Sequence, residues 1–191
     1  QIEALAGKRI CAMASSNGDQ GFEHALAACA GGSCFSWGSN SVGQLGVNDP
    51  HGAHTPVHIV ELSSERVSNV AAGGPSSCVV TVQGTLWQFG LWDGVRRPEP
   101  MRLERTLLDG HRVVSVAIGE FHRLALTDDG LVFSWLDEEA HAHPIAHELI
   151  RKLGHGDHID HAGEMIFTPK PIIALYGRRI CSISTGYISR S

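Results

Sequence analysis

One spaced pattern recurs three times along this chain and restricts what it can fold into. Gly21, Gly73 and Gly119 are each followed three residues later by His24, Ser76 and His122. Eight residues beyond those stand Gly32, Gly84 and Gly130, and five further on Trp37, Phe89 and Trp135. The spacings hold in all three copies without a gap. Self-similarity of this kind marks one supersecondary unit stacked on copies of itself. Successive copies are offset by 52, 46 and 67 residues, measured between Gly21, Gly73, Gly119 and Gly186. Variation of that size belongs in loops, where closure entropy grows slowly with length.

Each unit reads as short strands. HALAACAGG, SSCVVTVQG and HRLALTDDG are apolar runs ending in a turn at Gly, and SCFSWG, TLWQFG and LVFSWL are the returning strands. The glycine between them supplies the positive φ that a tight hairpin often needs. The aromatic then falls at one point of the second strand, where it can pack between sheets. Ahead of each hairpin stands an apolar run after a basic residue: KRICAMASS, ERVSNVAAG, HRVVSVAIG and, once more, RRICSISTG. After each comes a Pro-bearing run, HTPVHIVEL, RPEPMRL or TPKPIIAL, which suits an edge strand. Four short strands make one propeller blade. The expected fold is therefore all-β: a partial β-propeller of four-stranded antiparallel blades, with one short helical insertion. The repeats are expected at about 8–64, 65–110 and 111–177, with 1–7 and 178–191 belonging to neighbouring repeats. IEALAGKRIC from Ile2 matches IIALYGRRIC from Ile172 at seven of ten positions, so the chain reads as a fragment of a longer array.

The stretch HALAACAGGSCFSWGSNSVGQLGVND, from His24, resembles the repeat of the regulator of chromosome condensation family. That pattern runs G-x-x-H-x-x-A-L, then D-G-x-V-x-x-W-G-x-N, then G-Q-L-G. The third copy, GEFHRLALTDDGLVFSW with a later LGHGD, is similar to it. The second copy departs: Ser76 stands for His, Phe89 for Trp, and G-Q-L-G is missing. The resemblance implies a seven-bladed propeller. The family's founding member is a guanine-nucleotide exchange factor for the small GTPase Ran and binds chromatin. Similar propellers occur in ubiquitin ligases, ciliary proteins and a plant ultraviolet photoreceptor, so the fold alone does not name a function.

Charge and composition narrow the classes. The formal net charge is −5 and no long basic run occurs, so there is no electrostatic footprint for nucleic acid. No apolar run reaches membrane-spanning length. The five cysteines lie mostly in apolar runs without a C-x-x-C, which fits buried thiols in a reducing compartment, cytoplasmic or nuclear. No cofactor-binding loop is present: GGPSS from Gly73 and SNGDQG from Ser16 are turns, with neither G-K-[ST] nor G-x-G-x-x-G.

The candidate residues fall into three groups. His24 and His122 recur at one repeat position, which favours buried hydrogen-bonding residues that tie strands or blades together over catalytic ones. Residues 137–161 hold six of the twelve histidines, with ten more residues between Trp135 and Leu153-Gly154 than between Trp37 and Leu45-Gly46. DEEAHAHPIAHELIRKL reads as a short helix, acidic first and basic last. His143 and His147 stand one turn apart, a chelating spacing that Pro144 weakens. A His-rich loop is the preferred reading over a metal site, and His141, His143 and His147 are candidate partner contacts. Trp92, beside Arg96 and Arg97, is a candidate interface anchor if exposed and a blade-packing residue if not.

With no catalytic constellation in view, the leading expectation is a protein-interaction scaffold and not an enzyme, with a protein partner. The alternatives are exchange activity on a small Ran-like GTPase, and a docking propeller of a larger enzyme such as a ubiquitin ligase.

Overall fold

A computed structural model describes residues 2–16, 21–92, 94–119, 121–137, 153–155 and 168–186. Twelve strands form three four-stranded antiparallel sheets. The first holds β1 (Ile10–Ser15), β2 (His24–Cys29), β3 (Cys34–Gly38) and β4 (Ala53–His58). The second holds β5 (Val67–Gly73), β6 (Ser76–Thr81), β7 (Leu86–Trp92) and β8 (Val95–Arg102). The third holds β9 (Val113–Ile118), β10 (His122–Thr127), β11 (Val132–Leu136) and the short β12 (Lys170–Pro171). In each sheet the strands lie in chain order. Among the described residues the helical segments are short 3-10 turns, such as Val60–Leu62 and Arg105–Leu108. The expected helical insertion falls, apart from its end residues Asp137 and Leu153, outside the described residues.

The same hairpin turn is built three times. Gly32 N–H donates to Cys29 O at 2.8 Å, Gly84 N–H to Thr81 O at 2.9 Å and Gly130 N–H to Thr127 O at 3.0 Å. All three glycines have positive φ, at 98°, 76° and 88°, where a Cβ would be strained. The first strand of each sheet bulges at one equivalent residue: Cys11, Ser68 and Val114 each have no partner in the register. A bulge adds twist and re-aims the strand. Cys11 Sγ donates to Ala28 O and Ser68 Oγ to Val80 O, so the bulged side chain closes back on the neighbouring strand.

The sheets pack in series, with β5 against β1 and β2 on one side and against β9 on the other. Between the first and second sheets lies a core of Leu26, Ala28, Cys34, Ile59, Leu62, Val79 and Phe89. Between the second and third lies another, with Cys78, Val80, Trp92, Val113, Phe133 and Trp135. Phe89 and Trp135 thus fill successive junctions from equivalent positions. Trp37 alternates onto the face of the first sheet opposite Cys34 and is half-buried. Ile180 and Ile183 of the fourth basic-led run pack on Leu126, Val132 and Ile172 of the third sheet.

Candidate functional site

The recurring residues converge on the seams between sheets. Where a Cβ is built on Gly32 it meets Arg66 Cα at 2.9 Å, and on Gly84 it meets Arg112 Cα at 2.9 Å. Both arginines lead the first strand of the following sheet. Backbone bonds cross at the same points, from Val67 N–H to Gly32 O at 2.9 Å and from Val113 N–H to Gly84 O at 3.1 Å. The turn glycine therefore answers two demands, its own positive φ and the close approach of the next sheet.

The loop after β3 is a clasp over the second sheet. A Cβ on Gly43 would lie 2.4 Å from Pro98 Cα, and one on Gly46 2.8 Å from the Phe89 ring. Leu45 is fully buried, and its carbonyl accepts from Ser36 Oγ at 2.7 Å. Ser134 Oγ makes the same bond to Leu153 O at 2.8 Å in the third repeat. Asn40 holds the loop's shape: its Oδ1 accepts from Leu45 N–H at 2.9 Å and its Nδ2 donates to Val47 O at 3.2 Å. These contacts give G-x-N and G-Q-L-G a physical role in joining blades.

His24 sits at the first seam. It is buried, with Nε2 2.7 Å from Ser77 Oγ on the second sheet and Nδ1 2.8 Å from Phe22 O and 3.0 Å from Ser16 Oγ. Ser77 Oγ in turn donates to Gln44 O at 2.8 Å. Burial pushes the His24 pKa below its ordinary value, against a smaller opposing effect of the Phe22 carbonyl. Burial thus opposes protonation of the ring.

The second seam uses a different set. Ser76 replaces His and is too short to cross, and the partner reaches back instead: Arg123 Nη2 donates to Ser76 Oγ at 3.2 Å. Arg123 is 1% exposed, pairs with Asp137, and stacks 3.7 Å above the Trp92 ring. Trp92 stands at the position of Asn40 and is 2% exposed, with Nε1 donating to Phe89 O at 2.9 Å. The interface-anchor reading of Trp92 is therefore corrected: its ring belongs to the core, where Arg123 covers it. Ser76 in place of His and Trp92 in place of Asn thus meet in one cluster around Arg123.

Of the other candidates, Gly73 approaches Ile118 and Gly119 approaches the ring of His122, which is half-buried. Around Gly21 there is open space. His141, His143 and His147 lie outside the described residues. All five cysteines are free, and burial pushes the Cys34 and Cys78 thiols up to about 12. Among the described residues no group of three or more His, Cys, Asp or Glu is placed to hold a metal ion, and no helix is long and apolar enough to cross a membrane. Sequence reasoning missed Arg123, Asp137 and the bulge residues; an isolated arginine in an apolar strand was the available signal for the first.

Three four-stranded sheets packed in series, clasped by glycine loops and joined by side chains from equivalent positions, define blades of a β-propeller. The family model described as the Regulator of chromosome condensation (RCC1) repeat matches residues 31–80. The chain belongs to this repeat family. It is 33% identical to the human E3 ubiquitin-protein ligase HERC2 over 196 residues, which is 97% of this chain and 4% of the ligase. It is 30% identical to the ultraviolet-B receptor UVR8 of Arabidopsis thaliana over 194 residues, again 97% of this chain and 39% of the receptor. The crystal structure of yeast RCC1 (Prp20) bound to Kap60 superposes with a TM-score of 0.61 at 22% identity, covering 86% of this chain and 38% of that one. The chain thus spans well under half of each relative.

Proposed function

We propose that this chain is a protein-interaction scaffold: a rigid run of propeller blades whose connecting loops meet a protein partner. The observation that carries it is where the polar side chains of the repeat go. His24, Ser77, Ser76 and Arg123 are all engaged in joining sheets, which leaves loops to differ between blades and to carry recognition. The repeat units are assigned to about 8–64, 65–110 and 111–177, and the partner contact to the His-rich stretch with His141, His143 and His147. Five free cysteines favour a reducing compartment, cytoplasmic or nuclear. The test replaces residues 138–150 by a Gly/Ser linker and measures cross-linked partner capture and melting temperature together. Lost capture at unchanged melting temperature supports the assignment; unchanged capture removes this stretch from the interface.

A second reading, the docking arm of a ubiquitin ligase, is favoured by the identity with HERC2 over nearly the whole chain. It is tested by reading the coding sequence on both sides for a ligase domain. Exchange activity on a Ran-like GTPase has fold likeness alone behind it, and unaccelerated nucleotide release from Ran would end it.

A further inference from the structure

The outer strand of the second sheet reverses the chain's overall charge. β8 carries Arg96, Arg97 and Arg102 against one carboxylate, Glu99, in a chain of net charge −5. Glu99 is engaged elsewhere, accepting from Asn48 Nδ2 at 3.5 Å. Among the described residues, the ion pairs are His111 with Asp129, Arg112 with Asp128 and Arg123 with Asp137. The three arginines of β8 are in none of them. Arg97 is half-buried, with Nη1 donating to Met101 Sδ at 3.5 Å. Arg96 and Arg102 are exposed. The register pairs Arg96 with Leu91 and Arg102 with Trp87, so both guanidinium groups rise from one face of the sheet.

The geometry also restricts how a partner can engage this edge. A bare edge strand invites a further strand. Here Pro98 and Pro100 lack N–H donors, and the ladder with β7 shifts between Gln88 and Gly90. Backbone pairing is interrupted, and recognition falls to the side chains. A guanidinium group is a planar fork that matches a carboxylate in two parallel hydrogen bonds. A nucleic-acid strand needs a row of phosphate contacts on a broadly basic surface. This chain has a pI of about 6.2, and three of its arginines gather on this one strand.

We infer that β8 is a docking edge for an acidic segment of a partner protein, held by Arg96 and Arg102. The inference rests on the scaffold reading and supplies the chemistry of the partner.

The test measures fluorescence anisotropy of a labelled poly-glutamate peptide on the full chain, with a Gly/Ser peptide of equal length as the control. Both R96E/R102E and the milder R96Q/R102Q are used, with unfolding curves to show that these exposed substitutions leave the fold intact. The expected result is poly-glutamate binding that weakens about tenfold or more in both variants and fades with added salt. Equal affinity of both folded variants overturns it. So does tighter binding of a single-stranded oligonucleotide that is lost in the same variants, because the arginines would then read phosphate. The scaffold reading fails separately: if no partner is captured by cross-linking while peptide binding depends on the arginines, the edge stands and the scaffold assignment falls. If capture persists in R96Q/R102Q and peptide affinity is unchanged, the reverse holds.

Discussion

Arg123 occupies the strand position that Ala25 and Ser77 hold in the other two sheets, and it is the largest fully buried side chain among the described residues. A buried guanidinium is tolerated only when paired and covered. Asp137, Ser76 and the Trp92 ring do this together. R123A is expected to cost about 3–5 kcal/mol in urea unfolding, because it removes one side of a buried ion pair. The double variant R123M/D137L is expected to recover most of that loss; failure to recover would mean that the pair does more than neutralise itself. His24 sets a pH dependence. Its folded pKa is depressed by burial, so the unfolded chain binds the proton more readily. Its contribution to stability is full above the unfolded value of about 6.5 and declines as pH falls below it. H24Q is expected to flatten this acid-side decline in melting temperature, read against the parent chain.

At the scale of the element, the turn glycines separate two effects that the sequence presents as one. Gly32, Gly84 and Gly130 share positive φ, so alanine strains all three alike. Their surroundings differ. A Cβ on Gly84 would lie 2.7 Å from Arg112 Cβ, whereas one on Gly130 comes no nearer than 3.5 Å to Arg179. G130A is expected to cost about 1 kcal/mol, the conformational share alone. G84A is expected to cost more by about 1–3 kcal/mol, the overpacking share. Equal denaturation midpoints for the two would place the whole cost in the turn. The turns, the returning strands and the aromatic positions were legible in the sequence because each follows from local pattern. The bulges at Cys11, Ser68 and Val114 were not, since a bulge is a mismatch between two strands and appears in neither sequence alone.

Among the described residues, the main contacts of each sheet are with its neighbours in chain order, as in other repeat arrays. Damage at one seam should therefore stay local. W92A empties the seam between the second and third sheets, where Trp92 packs with Phe133 and Trp135. Hydrogen exchange is expected to rise in β6, β7, β9 and β10, while β2 and β3 keep their protection. A uniform rise across all three sheets would show that the array unfolds as a single unit. The loop clasp of the first sheet and the Arg123 cluster of the second seam are two answers to one need, holding adjacent blades against sliding.

Periodicity by itself determined the all-β class, the four-strand unit and the turn glycines, because spacing reports directly which residues share a face and where the chain must reverse. Tertiary structure decided what the exceptions mean. In the sequence, Ser76 stands where the other copies have His, Trp92 is an anchor only if exposed, and Arg123 shows no link to either. Brought within contact, they are one buried cluster. Residues 47 apart, such as Ser76 and Arg123, compensate each other only through the sheet packing that places them side by side, and no local pattern carries that information.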